Sequence, residues 1–273
     1  MILTPLFLTT SLIAAVLLSL GFLVIRKLNN VVLTQRLYTW VAISVVFTSA
    51  YLLGDFYFRV LILLIGLVML YELTKLMNLL ASGAALVLVV TWVQFWEIAF
   101  FETPARLSFA LLVSAVLLFV FSEKSKPSSL LVGFYGVLLI TVAWPMAVMY
   151  PDKTLALLLT VGCFDVAGYV GGKNFATGFL NYKIYPKTSP NKTLAGLVAG
   201  SLAAALILVA LGHFSWLGLG LICAGAVAGD WLESKAKRLA GVKDAGNWLP
   251  GFGGLLDRFD SMLLLAPLAV FIF

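Results

Sequence analysis

Between residues 229 and 261 the chain crowds acids, bases and glycines into three runs. They are Gly229-Asp230-Trp231-Leu232-Glu233-Ser234-Lys235-Ala236-Lys237-Arg238, then Lys243-Asp244-Ala245-Gly246-Asn247-Trp248-Leu249-Pro250-Gly251-Phe252-Gly253-Gly254, then Leu256-Asp257-Arg258-Phe259-Asp260-Ser261. Asp230 and Glu233 fall three apart on one helix face, with Lys237 four beyond Glu233, and Asp257 and Asp260 repeat the three-residue spacing. Taken alone, Glu233 and Lys237 read as a surface ion pair. Asp230 closes an apolar run, where an acid needs a cation, a partner or water. The glycines let backbone approach a ligand closely. With Lys237, Arg238 and Lys243 beside them they could offer amide N–H groups and cations to phosphate, although a flexible turn has the same composition. No Gly-Lys-Ser/Thr follows, so this is not a Walker A loop. Hard carboxylate oxygens suit Mg²⁺, which commonly takes one or two carboxylates together with substrate phosphates, and such ions stabilise displacement at phosphorus.

Two upstream elements point the same way. Asp165 lies inside an apolar segment, in Gly162-Cys163-Phe164-Asp165-Val166-Ala167-Gly168-Tyr169-Val170-Gly171-Gly172. An ionisable residue at that depth is a functional candidate, a buried hydrogen-bonded Asp being the alternative. Gly168 and Gly171 would let a neighbouring helix approach. The loop Lys187-Thr188-Ser189-Pro190-Asn191-Lys192-Thr193 then opens a helix near Thr193, and hydroxyls, a Lys and free amides at a helix start form a phosphate site or an ordinary cap.

The elements that must position these groups are membrane helices. Of 273 residues, 62% are hydrophobic and 11% charged, and mean hydropathy is +1.08, far from the composition of a soluble domain. Apolar runs near 5–25, 38–54, 58–74, 81–100, 107–121, 129–149, 154–172, 194–212, 215–232 and 259–273 predict an all-α, polytopic integral membrane protein of about 9–10 transmembrane helices. The 5–25 run lacks a basic start and a cleavage site and reads as a retained helix. Arg59 and Glu72 fall near the ends of the 58–74 run. With a non-cytoplasmic N-terminus, one set of loops holds every Lys and Arg except Arg59, Arg106 and Lys153. The positive-inside rule therefore places the 173–193 and 233–258 loops in the cytoplasm and both termini outside. No soluble basic domain exists to bind nucleic acid. Cys163 and Cys223 read as small core residues, and His213 as part of a turn. Residues 1–150 are expected to form a scaffold of transmembrane helices, suited to dimerisation, and 151–273 a catalytic region with a polar cavity open to the cytoplasm.

The spaced pattern resembles the phosphatidate cytidylyltransferase (CDP-diglyceride synthase) family. That signature, Ser-x-x-Lys-Arg, four residues, Lys-Asp, a Gly/Pro-rich turn, then Asp-Arg-x-Asp, is met by Ser234, Lys237, Arg238, Lys243, Asp244, Gly246, Pro250, Gly253, Gly254, Asp257, Arg258 and Asp260. Gly-Asp-x-x-Glu-Ser at 229–234, Ser-Pro-x-Lys-Thr at 189–193, and Asp165 with Tyr169 and Gly171 also match. The resemblance covers the last 110 residues or so well, and implies CTP plus phosphatidate giving CDP-diacylglycerol and pyrophosphate. It implies Asp230 and Asp257 as ligands of a catalytic Mg²⁺, with Asp244 and Asp260 supporting. It further implies Lys192, Lys237, Arg238, Lys243 and Arg258 as phosphate holders, within a substrate site that also takes in Asp165, Ser189, Asn191, Thr193 and Asn247. A homodimer and a bacterial inner (cytoplasmic) membrane are the expected assembly and location. Phe252 stands where the family has His, and Ala195 where it has Glu, so a divergent member is expected. The alternatives are a CTP-dependent enzyme of another lipid phosphate, a non-catalytic homologue, and an ion-coupled transporter using Asp165 and Asp230, though a transporter would spread its charges over several helices.

Overall fold

A computed structural model describes residues 3–28, 31–76, 150–186, 189–242, 244–246, 249 and 253–273. The expected spans at 81–100, 107–121 and 129–149 lie outside the described residues. Numbered over the described chain, the helices are α1 (Pro5–Leu28), α2 (Val31–Leu53), α3 (Asp55–Leu76), α4 (Pro151–Asn174), α5 (Leu194–Ala210), α6 (Trp216–Leu239) and α7 (Leu256–Leu265). A 3₁₀ turn at Ala266–Leu268 leads into the four-residue α8 (Ala269–Ile272). Pro5–Leu23, Asp55–Leu73 and Pro151–Asn174 are long and apolar enough to cross a bilayer, and Leu37–Leu53 and Leu194–Ala210 are shorter apolar helices. Rows of exposed aliphatics on α1 (Leu8, Leu12, Val16, Leu20) and α5 (Leu202, Leu206, Val209) suit a hydrocarbon solvent. This is an integral membrane protein.

Local chemistry sets the helix starts. Thr4 Oγ1 accepts from the Phe7 amide at 3.1 Å, Thr193 Oγ1 from Gly196 at 3.2 Å, and Ser215 Oγ from Gly218 at 2.9 Å. Each hydroxyl satisfies an amide that has no partner within its own helix. Thr193 thus opens a helix where the sequence predicts one. The loop before it is more ordered than expected. Lys183–Tyr185 (β1) pairs antiparallel with Ser189–Thr193 (β2), in register Lys183 to Thr193 and Tyr185 to Ser189. This hairpin interrupts an otherwise helical described chain.

Helix α6 runs to Leu239 without a break, although a loop is expected from residue 233. Its last turns, Glu-Ser-Lys-Ala-Lys-Arg-Leu, are rich in helix formers, and Lys237 and Arg238 complement the negative end of the dipole. His213 follows Gly212, which has φ +75°, and its ring meets Phe273 edge-on with centroids 5.8 Å apart.

Two backbone contacts fix the helices that matter for the site. Between α4 and α5, a methyl on Gly196 would lie 2.7 Å from the Gly168 carbonyl oxygen, and one on Gly200 would lie 2.9 Å from that of Phe164. Between α6 and α7, a methyl on Gly229 would lie 2.6 Å from the Asp260 carbonyl oxygen and 2.7 Å from Ser261 Cα. Small residues at crossings allow this approach. Stacking of Phe7 on Tyr51 (4.1 Å) and of Phe47 on Phe259 (6.0 Å) holds α1, α2 and α7 in one aromatic core.

Gly229→Ala should therefore lower stability by about 1–3 kcal/mol, because backbone cannot yield as a flexible side chain can. Gly220→Ala, which meets nothing within 4 Å, should leave it unchanged, as read by thermal unfolding of the detergent-solubilised protein.

Candidate active site

A cavity of about 970 Å³ collects the chemistry-bearing residues of four separate stretches. Asp165 enters from α4. Ser189, Asn191, Lys192 and Thr193 come from β2. Asp230, Glu233 and Lys237 come from α6, and Asp257, Arg258, Asp260 and Ser261 from α7. Lys173, Lys183 and Tyr185 complete the polar end. The walls from α1, α2 and the start of α4 are mainly apolar, lined by Leu17, Leu18, Leu37, Trp40, Leu155 and Leu158, with hydroxyls of Thr10, Ser11, Ser44 and Thr48 among them.

The polar end is built around Lys237. Its ammonium lies 2.6 Å from Glu233 Oε2 and 2.7 Å from Asp257 Oδ1. The expectation of a surface ion pair is overturned: Glu233 is 7% and Asp257 6% exposed. The i,i+4 spacing is as read, but α7 packs over that helix face and buries it. Asp257 Oδ2 accepts from the amides of Ala245 at 2.9 Å and Gly254 at 2.7 Å. Burial alone would raise the Asp257 carboxyl. A hydrogen bond with Glu233, the Lys237 ammonium and the Gly254 amide outweigh it and hold Asp257 below the ordinary Asp value.

The amides reach Asp257 because the glycine loop folds back on itself. Leu249 and Gly253 exchange backbone hydrogen bonds at 2.9 and 3.2 Å. Gly253 has φ +89°, a left-handed conformation that favours glycine, and an added methyl there would lie 2.6 Å from Asp257 Oδ2.

A second pair joins the hairpin to α6, with Lys192 Nζ 3.2 Å from Asp230 Oδ1. Burial would lower the Lys192 ammonium, but Asp230, Asp165 and Asp260 together raise it above its ordinary value. Asp260 Oδ1 accepts from the Ser261 amide at 2.6 Å, and Ser261 Oγ donates to the Ala226 carbonyl at 3.2 Å, tying α7 to α6 again.

Not every residue singled out from sequence faces this cavity. Arg238 is exposed and outside the lining, since one residue beyond Lys237 turns it roughly 100° around α6. Asp244 is likewise exposed and outside the lining. Lys243, Asn247 and Phe252 lie outside the described residues. Ala195 is buried at 4% exposure in the α4–α5 contact and does not line the cavity. Sequence reasoning missed Lys173, Lys183 and Glu233 in the lining, Tyr185, whose hydroxyl donates to the Val227 carbonyl at 3.4 Å, and Glu72. The last accepts from the Leu255 and Leu256 amides with its two oxygens, at 3.1 and 2.7 Å.

The cavity lining carries five carboxylates (Asp165, Asp230, Glu233, Asp257, Asp260) and five basic groups (Lys173, Lys183, Lys192, Lys237, Arg258). Asp230 and Asp257 offer hard oxygen donors, and each carboxylate oxygen has a second lone-pair direction besides the one its lysine takes. Among the described residues no three His, Cys, Asp or Glu side chains are grouped so as to hold a metal ion by themselves. The donor set fits Mg²⁺ shared with substrate phosphates.

The cytidylyltransferase family matches residues 34–273. A phosphatidate cytidylyltransferase of Bacillus subtilis is 30% identical over 263 residues, covering 87% of this chain and 96% of the relative. That of Staphylococcus aureus is 37% identical over 123 residues, and the match spans 46% of that relative's length. That of Helicobacter pylori is 44% identical over 115 residues, covering 39% of this chain and 41% of the relative.

Replacing Lys237 by Met should cost about 3–5 kcal/mol, because two buried carboxylates lose their common cation. Lys237→Arg should recover part of that loss, and thermal unfolding of the purified variants separates the two outcomes.

Proposed function

This chain belongs to the cytidylyltransferase family, and from that premise we propose that it transfers CMP from CTP to phosphatidate, giving CDP-diacylglycerol and pyrophosphate. The observation that carries the reading is the two-ended cavity. One end gathers cations and carboxylates suited to a polyphosphate with its metal, and the other, between α1, α2 and α4, is lined by Leu17, Leu37, Trp40 and Leu158 and suits a hydrocarbon chain. Few substrates other than a lipid phosphate and a nucleotide need both ends of one cavity.

In this scheme an oxygen of the lipid phosphate attacks the α-phosphorus of CTP, the α–β phosphoanhydride bond breaks, and pyrophosphate leaves. The nucleophile is already ionised, so positioning and charge neutralisation matter more than proton removal. Mg²⁺ held by Asp230 and Asp257 would neutralise charge at the transferring phosphorus. Lys192 and Arg258 would hold phosphate oxygens, with Thr193, Ser189 and Asn191 as hydrogen-bonding partners on the hairpin. Lys237 keeps Asp257 ionised and oriented. The loops flanking the polar end would face the cytoplasm, where CTP is found, as the Lys and Arg distribution requires.

Ala195 and Phe252 depart from the family pattern and favour a second reading within the same chemistry, in which the acceptor is a different lipid phosphate. Purified protein given labelled CTP, Mg²⁺ and phosphatidate should form a CDP-lipid. Asp257→Asn and Asp230→Asn should each lower the rate by at least about a hundredfold, the scale of losing one electrostatic stabiliser. A panel of lipid phosphates separates the two acceptors, and no product with any of them would overturn the proposal.

A further inference from the structure

Glu72 ends a membrane-spanning helix, is 1% exposed, and does not line the cavity. Its two oxygens are nonetheless both engaged with the site's scaffold across 183 and 184 residues of sequence. The amides it binds, of Leu255 and Leu256, belong to the start of α7, where no side chain of α7 itself provides a cap. Helix-start amides lack intrahelical partners, and a carboxylate placed there also meets the positive end of the helix dipole. Glu72 thus caps α7 from another helix.

The same carboxylate is fitted against both ends of the glycine loop. A methyl on Gly254 would lie 2.5 Å from Oε1 and 2.7 Å from Oε2, and a methyl on Gly246 would collide with Oε1. Asp257 takes the amides of Ala245 and Gly254. Glu72 and Asp257 therefore grip the same two backbone stretches, 245–246 and 254–256.

We infer that Glu72 is a positioning residue for the reaction: by fixing the first turn of α7 and both ends of the loop, it sets the direction in which Asp257 presents Oδ1 to a metal ion. This rests on the metal-binding role proposed above for Asp257. Glu72 touches no substrate in this scheme and acts only through α7 and the loop. Residues that orient a metal ligand from behind commonly change metal affinity or activity by about 10–100-fold when altered.

The test uses purified full-length protein with Mn²⁺ as the probe, its binding followed by electron paramagnetic resonance, together with the Mg²⁺ dependence of turnover. Glu72→Gln keeps the size but replaces one accepting oxygen with a donor. It should weaken Mn²⁺ binding at least about tenfold, move half-maximal Mg²⁺ activation upward, and leave KM for CTP at saturating Mg²⁺ nearly unchanged. If unfolding temperature falls while Mn²⁺ affinity and Mg²⁺ activation stay at wild-type values, Glu72 only packs helices and the inference is overturned. Should Glu72→Gln not fold, Gly246→Ala, which presses on the same oxygen, must give the same loss of Mn²⁺ affinity. Failure of both to fold makes Glu72 a folding residue and also overturns it. Asp257→Asn separates the layers. If that variant keeps Mn²⁺ binding, the metal role of Asp257 falls and this inference with it. If it loses Mn²⁺ while Glu72→Gln does not, this inference alone falls.

Discussion

An ionised carboxylate in an apolar helical scaffold costs several kcal/mol unless donors surround it, and that constraint organises this molecule. Asp257 meets it with the Lys237 ammonium on one oxygen and two amides on the other. Lys237 in turn is shared with Glu233. For this to work α7 must lie almost in backbone contact with α6, and Gly229 is the residue that allows it. The loop must also curl until Ala245 and Gly254 face one oxygen, which the left-handed Gly253 permits. Helix crossing, loop shape and ion pairing are separate answers to one electrostatic demand.

How much of this could be read beforehand depended on distance along the chain. Asp230, Lys192, Asp257 and Asp260 stood out because charges are rare in an apolar sequence and because their spacing matches a family. Glu233 and Lys237 were visible as a pair but not as a buried one, since helical spacing says nothing about which face a later helix will cover. Glu72 read as a charge at the edge of a span, because its partners lie more than 180 residues away and offer no periodic signal. The hairpin was also hidden, as Ser189-Pro190-Asn191-Lys192-Thr193 has neither apolar alternation nor a β-branched run. Arg238 and Asp244 were grouped with the cluster by sequence proximity, yet their exposed placements keep them out of the lining.

The two ends of the cavity draw on largely different helices, with α4 lining both. The polar end comes from α4, the hairpin, α6 and α7, and most of its charged residues match a signature, Lys173 and Lys183 excepted. The apolar end draws on α1 and α2, where Leu, Trp and Ser lining residues carry no such pattern. An apolar wall needs only shape and volume, which many sequences supply, so its identity is weakly written. A charged site fixes residue type and spacing together.

The glycine seam between α4 and α5 has a consequence for how such a protein can diversify. With Gly168, Gly171, Gly196 and Gly200 interlocked at backbone distance, the two helices form one unit that carries Asp165 and, through Thr193, the strand bearing Lys192 into the same cavity. Mutation can scarcely alter the spacing of those two charges without breaking that unit. Around Trp40 and Leu158, by contrast, a changed side chain alters the space without moving the charges. The seam fixes the spacing of the charges while leaving the shape of the largely apolar wall free to vary.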